Sequence, residues 1–274
     1  MQNVTTSKWW KKMILKTIIV VVIGLVIFGP LAGTLLWSFA EKWFWPGVIP
    51  QEFGLKYWRT SLTGQSQVLD SLGISLAIAI AVVIMATIIS VPAGYALARY
   101  NVPWKRILLV LFLMPQAFPQ LPVFINMTSI FYRYDLVGTI KGVIAVHLVI
   151  SLVYSVWITT AAFKSIPVSL EEAAINLGAN RLRVFFRITL PLAAPGLIAS
   201  SIFVFITSFD EFTGTFFIGA PFIQTLPTLM YTASMGYNMQ YASVIAILLT
   251  IPALVFMLIL EKFLKAEYIS GLGV

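Results

Sequence analysis

The 274-residue sequence predicts an all-α membrane protein, a single domain of six transmembrane helices. Three observations carry this. Hydrophobic residues make up 59% of the chain and charged residues 10%, against about a quarter charged in soluble domains, which excludes a water-soluble enzyme. Six apolar stretches meet or nearly meet the ~20 residues that a helix needs to cross a ~30 Å hydrocarbon layer. The basic residues behind the net charge of +8 fall in short clusters between those stretches, a topology signal rather than a nucleic-acid patch.

The spans lie at about 14–37, 72–98, 107–131, 142–163, 192–215 and 241–261. With a cytoplasmic N-terminus, the inner side holds Lys8, Lys11, Lys12, Lys16, Arg99, Lys105, Arg106, Lys164, Arg181, Arg183, Arg187, Lys262 and Lys265, which is 13 of the 18 basic residues. Lys42, Lys56, Arg59, Arg133 and Lys141 remain outside, so both termini are expected in the cytoplasm. A basic stretch before an apolar one is also the form of a signal peptide. The apolar run 13–39 exceeds the ~7–15 residues of a signal core, so the first helix is expected to stay. Trp9, Trp10, Trp43, Trp45, Trp58 and Trp104 lie near span ends, where an indole ring rests in the interface with its N–H wet.

In the third span, MPQAFPQLPVFIN carries Pro115, Pro119 and Pro122, each removing a backbone donor, so this helix is expected to bend or break. Gln116, Gln120 and Asn126 then face either a neighbouring helix or a polar pathway. In the fourth span, His147 is the chain's one histidine and reads as a satisfied packing residue rather than a proton relay. The absence of Cys excludes a thiolate nucleophile, a disulfide or a cysteinyl metal site. The sequence also has no G-x-x-x-x-G-K-[ST], so it cannot hold ATP phosphates in a Walker A loop.

The longest inner segment, between spans four and five (164–191), reads as two short helices. Ser169 and Glu172 have capping-box spacing, Leu170, Ala173, Ala174 and Leu177 form an apolar stripe, and Gly178 stops the helix in the left-handed conformation. Asn180 caps a second helix carrying Arg181, Arg183 and Arg187, which Pro191 ends. The three arginines read as anchors to anionic lipid. Glu172 either caps its own helix or meets a partner, and Glu171 could serve instead.

Asp210 and Glu211 stand near the outer end of the fifth span. A carboxylate facing lipid is disfavoured by a few kcal/mol, so both should face water, the bundle interior or a partner. On a continuous helix they diverge by about 100°, leaving one to line a pathway. The expected pathway set is Asp210, Glu211, Ser208, Gln120 and Asn126; the alternative is that the acidic pair makes structural contacts. Outside, the aromatic residues Trp43, Phe44, Trp45, Phe53, Tyr57 and Trp58 in 40–70, and Phe216, Phe217, Phe222, Tyr231 and Tyr237 in 216–240, suit either lipid headgroups or a soluble receptor.

Glu172-Ala173-Ala174, three residues, Gly178, nine residues, then Ile188-Thr189-Leu190-Pro191 resembles the EAA signature of the membrane subunits of bacterial binding-protein-dependent ABC importers. SLGISLAIAIAVVIMATIISVPAGYALARY and SFDEFTGTFFIGAPFIQTLP extend the resemblance over most of the chain. It implies the type I importer permease fold in the bacterial inner membrane, with no catalytic residues. It also implies that the helix bearing Glu171, Glu172, Ala173, Ala174 and Gly178 is a coupling helix docking onto an ATPase. The implied partners are two cytoplasmic ATPase subunits that bind ATP and Mg, a second homologous permease or a second copy of this chain, and an extracytoplasmic substrate-binding protein. SFDEF with FIGAP and QTLP is most similar to the polyamine (spermidine/putrescine) branch, with phosphonate, opine and iron importers close by. That similarity implies a small cationic or zwitterionic solute.

A different class, the ion-coupled secondary transporter, would use Asp210, Glu211 or His147 as its ion site. It usually shows inverted repeats, and no such symmetry relates the first three spans to the last three. A membrane scaffold would not need acidic residues within a span.

Overall fold

The computed structural model describes residues 3–63 and 66–271, with side chains for 10, 12–63, 66–259 and 261. The side chains of Lys8, Trp9, Lys11, Lys262 and Lys265 thus lie outside the described ones. The chain forms two compact units, residues 1–66 with 230–248, and residues 67–229 with 249–274.

In the first unit, α1 (Asn3–Phe39) runs unbroken through Pro30, and the apolar window of its membrane-crossing part, Lys12–Phe39, has no buried residue. A short antiparallel hairpin follows, β1 (Ala40–Lys42) and β2 (Glu52–Phe53), and then α2 (Lys56–Leu62). Local side chains hold the hairpin. The Gln51 amide accepts from Phe44 N and donates to Phe44 O, both at 3.0 Å, and Trp43 Nε1 donates to Gly47 O at 2.8 Å while its ring stacks on Trp37. This leaves Trp45 94% exposed, with Phe44, Val48 and Ile49 also exposed.

The second unit is built on α3 (Gln67–Arg99). The expected third span is two helices, α4 (Lys105–Ala117) and α5 (Gln120–Arg133), bent by 99° at Phe118 and Pro119, so the proline run breaks the helix as expected. Next come α6 (Ile140–Ser165), α7 (Val168–Asn176) and α8 (Arg181–Val184), then a π turn (Phe185–Thr189) leading into α9 (Leu190–Phe209). The short helix α10 (Thr213–Ile218) follows. The helices α11 (Leu226–Met235) and α12 (Met239–Gly271) each run from one unit into the other. Among the described residues, five helices are long and apolar enough to cross a bilayer, or six if the bent α4–α5 pair is one span. The architecture is therefore almost wholly helical and multi-pass.

Helices α3, α6 and α9 pack around Ile78, Val82, Ala86, Val143 and Val204, with a second cluster of Phe163, Ile166 and Ala193. Apolar burial does not favour helix pairing within lipid, so close approach and polar contacts must supply the specificity. Small residues four apart face one another here: Ser90 and Gly94 on α3, Ser155 and Thr159 on α6, Gly196 and Ser200 on α9. Ser155 Oγ donates to Ser90 Oγ at 2.7 Å, and Ser200 Oγ lies 3.3 Å from Ser155 Oγ. A Cβ on Gly94 would sit 2.7 Å from Thr159 Cγ2 and 3.0 Å from Thr160 N, so only glycine fits.

Three expectations change. No side-chain cap starts α7, because Pro167 holds the N-cap position and helix begins at Val168, leaving Ser169 inside the first turn and the capping box unformed. Pro191 does not end the helix that Asn180 opens. Without an N–H it sits in the first turn of α9, and the widened π turn before it lets Leu190 N donate to Phe185 O, so Arg181–Phe209 reads as one span. The fifth span ends at Phe209 rather than near 215, so Asp210 and Glu211 lie in the break before α10 instead of on a continuous helix.

Candidate functional site

The 164–191 loop folds into an ordered knob. The C-terminal end of α7 is closed by paired bonds, Gly178 N to Ile175 O at 2.9 Å and Ala179 N to Ala174 O at 3.1 Å, with Gly178 at φ +88°. That is a Schellman closure, and the left-handed position suits glycine because it has no Cβ. Asn180 then caps α8, its side chain accepting from Arg183 N at 2.8 Å. Both turn residues thus act as the spacing predicts.

The two glutamates of the knob have opposite environments. Glu171 is buried at 7% exposure, whereas Glu172 and Ala173 are exposed and Ala174 is half-buried. Glu171 Oε1 accepts from Arg99 Nε at 2.8 Å and from Thr189 Oγ1 at 3.0 Å, and Tyr95 OH donates to its Oε2 at 3.3 Å. The Arg99 guanidinium also donates to Ile166 O at 3.0 Å. Glu171 therefore faces its own chain, whereas Glu172 is exposed, as are Leu170, Leu177 (90% exposed) and Leu182. Of the apolar stripe read from the sequence, Leu170, Ala173 and Leu177 are exposed and Ala174 is half-buried. Arg181, Arg183 and Arg187 are exposed around it.

A second feature is an open cleft of about 380 Å³, lined by Gln116 and Gln120 together with residues of α6, α9 and the break after it. Asp210, at the C-cap of α9, is exposed on this cleft, and Glu211 also lines it. The carboxylate of Glu211 is committed to the fold, accepting from Gly214 N at 2.9 Å and Thr215 N at 3.0 Å and so capping α10. Behind it lies His147, 1% exposed, hydrogen-bonded through Nδ1 to Ser208 Oγ at 2.9 Å and through Nε2 to Thr215 Oγ1 at 2.7 Å. The expected packing role of His147 therefore has a geometric basis.

Of the expected pathway residues, Asp210, Glu211 and Gln120 line the cleft. Ser208 does not, being buried against His147, and Asn126 lies elsewhere on α5 with its Nδ2 bonded to Pro122 O. The lining also includes the aromatic pair Tyr154 and Phe203, with ring centroids 5.0 Å apart, Thr207 and Thr213, and the apolar Ile150, Ile206 and Phe212. These were missed because Tyr154 and Phe203 look like ordinary apolar span residues. Arg99, Tyr95 and Thr189 were missed as partners of Glu171, although Tyr95 and Arg99 stand four apart at the end of a span. Among the described residues, no three of His, Cys, Asp and Glu come together where they could hold a metal.

Residues 90–267 match the family described as binding-protein-dependent transport system inner membrane component. The trehalose transport system permease SugB of Mycobacterium tuberculosis is 30% identical over 211 residues, 75% of this chain and 76% of the relative. A permease assigned to a 2-aminoethylphosphonate transport system, PhnV of Salmonella typhi, is 27% identical over 240 residues, 87% of this chain and 90% of the relative. Among solved structures, a chain of a bacterial ABC transporter that imports the acidic polysaccharide alginate superposes with a TM-score of 0.70 at 17% identity, covering 96% of this chain and 98% of that one. The fold and these matches agree, and the chain belongs to the inner-membrane permease family of binding-protein-dependent ABC importers, a multi-pass and non-catalytic membrane subunit.

Proposed function

We propose that the chain lines the translocation pathway of an importer of small, hydroxyl-rich solutes, docking on its ATPases through the α7–α8 knob. The observation that carries the docking is the inversion of the two glutamates. Glu171 is bound internally, and Glu172 and Ala173 on the nine-residue α7 and Leu177 at its C-cap are left exposed. An exposed apolar and acidic helix face beside small residues suits insertion into a groove of a cytoplasmic ATPase, one for each of two permeases. The knob then lies in the cytoplasm, as the basic clusters imply, and both termini lie on the same side. The unburied length of α1 suits lipid or a second permease, whether a homologue or another copy of this chain. The exposed hairpin tip at Phe44, Trp45, Val48 and Ile49 suits the outer interface or a substrate-binding protein. On this reading the chain acts as one permease domain throughout.

The cleft supports the solute class. Its amides, hydroxyls and paired aromatic rings can hold sugar hydroxyls and ring faces, and about 380 Å³ falls within the roughly 300–1,000 Å³ of small-molecule sites. The sugar-system name of SugB points the same way. A polyamine or aminophosphonate is the second reading, favoured by the exposed Asp210 carboxylate at the cleft. Reconstitution with the cognate ATPase and binding protein, followed by ATP-dependent uptake of labelled trehalose, spermidine and 2-aminoethylphosphonate, separates them. Uptake of trehalose alone supports the first reading, uptake of spermidine or the phosphonate replaces it with the second, and failure of the ATPase to co-purify overturns the docking.

A further inference from the structure

We infer that Arg99 and Glu171 form the internal linkage through which the docking helix moves the transmembrane core. The inference rests on the docking proposed above, and it assigns to Glu171 a role distinct from touching the ATPase. Two segments distant in sequence from one another reach the buried Glu171 carboxylate of α7. Arg99 and Tyr95 come from the end of α3 and Thr189 from the π turn leading into α9, while Arg99 also donates to the Ile166 carbonyl just past the end of α6. The side chains of Arg99 and Glu171 are 7% and 9% exposed, so solvent screens the pair little. The guanidinium is planar and uses two of its donors at once, Nε to Glu171 and an Nη to Ile166 O, which fixes the direction of α7 as well as its distance. Thr189 is wholly buried, so its hydroxyl has little alternative to the Glu171 carboxylate.

Aromatic packing stiffens the same junction. Tyr95 meets Phe163 at 5.4 Å and Phe185 at 4.9 Å between ring centroids, both edge to face, joining α3, α6 and the π turn beneath the ion pair. A push on α7 therefore has no soft joint in which to dissipate before it reaches α3, α6 and α9. By contrast, the bonds at Gly178 and Asn180 are local, closing α7 and capping the first turn of the Arg181–Phe209 span without joining it to α3 or α6.

The chain contains no cysteine, so Gln120→Cys places one thiol on the cleft. In vesicles holding the complex with its ATPase, alkylation of that thiol by a membrane-impermeant maleimide is timed with and without ATP and vanadate. The parent is expected to change its alkylation rate at least fivefold. Adding Arg99→Lys, which keeps the charge but loses the fork, or Glu171→Gln, should reduce that change below twofold while the ATPase still co-purifies and hydrolyses ATP. Thr189→Val, the mildest change and the one best able to fold, should give an intermediate response. A merely structural role would lower the amount of complex and leave the ratio unaltered. An undiminished ATP response in all three variants overturns the linkage. A parent complex that shows no response, or holds no ATPase, overturns the docking reading and the linkage with it.

Discussion

Glu211 Oε2 stands 3.4 Å from His147 Nε2, and both side chains are occupied by the same short helix: Glu211 accepts from Gly214 N and Thr215 N, while His147 bonds Thr215 Oγ1. The break after Phe209 is thus held open by two residues 64 positions apart in the sequence. Asp210, between the end of α9 and this staple, is the carboxylate left to the cleft.

The staple and the cleft residue should therefore respond differently to substitution. His147→Phe leaves the buried Ser208 hydroxyl without its partner and Thr215 Oγ1 with only its 3.4 Å bond to Glu211 O, so the chain should lose about 1–3 kcal/mol. Glu211→Ala removes a helix cap and should lose about 1–2 kcal/mol. Asp210→Asn should stay within ~0.5 kcal/mol of the parent. Thermal unfolding in detergent checks the three, and equal losses for Asp210→Asn and Glu211→Ala would mean that the cap is not what Glu211 contributes.

Asp210→Asn also bears on the solute. For a cationic solute the lost charge-assisted contact should raise KM about tenfold or more, the equivalent of ~1.4 kcal/mol, whereas a neutral sugar should lose only a few-fold. Uptake at graded solute concentrations reads the difference. A large KM rise for trehalose, with spermidine not transported, would show that the carboxylate orients a hydroxyl group rather than balancing a charge.

What was legible in the sequence was local. Gly178 and Asn180 act within three residues of themselves, and the proline run at 115–122 breaks its own helix, so both features could be read before any packing was known. Tertiary context decided the rest. Arg99 and Glu171 lie 72 residues apart, and the Ser90–Ser155–Ser200 contacts join three spans that each read as uniformly apolar. The Ser169 cap failed for a different reason. Pro167 is well placed to start a helix with its own fixed φ, and that start absorbs Ser169 into the first turn. The break at Asp210 is hidden in the sequence because apolar residues continue on both sides of it, in SSIFVFITSF and FTGTFFIG.

The outward glutamate should be separable from the inward one. Glu172→Ala alters an exposed side chain and should leave stability within ~0.5 kcal/mol of the parent, while Ala173→Leu adds bulk to an exposed small position at similar cost. Both should weaken ATPase retention on an affinity column severalfold, with Ala173→Leu the stronger because a groove that admits a methyl must open for an isobutyl group. Full retention by both variants would move the docking face elsewhere on the knob.

Gly178 tests whether the direction of the knob matters apart from its surface. A Cβ built there meets nothing within 4 Å, so substitution causes no collision and the whole cost is backbone strain at φ +88°. For alanine that strain is about 1–2 kcal/mol, and for asparagine, which tolerates the left-handed region, it is smaller. Gly178→Ala should therefore rotate or fray the last turn of α7, where Leu177 and the Schellman bonds sit, and should reduce ATP-driven uptake more than it reduces thermal stability. Gly178→Asn should recover most of that uptake. Gly94→Val gives the contrasting case, because its branched side chain would be driven into Thr159 and the Thr160 backbone, within 3.0 Å of where its Cβ must lie. Overpacking of that kind costs about 1–3 kcal/mol or more, so the folded yield should fall and uptake per folded molecule should change little. If Gly178→Ala and Gly94→Val lowered yield and uptake in the same proportion, the knob's direction would carry no more weight in transport than any packed helix contact.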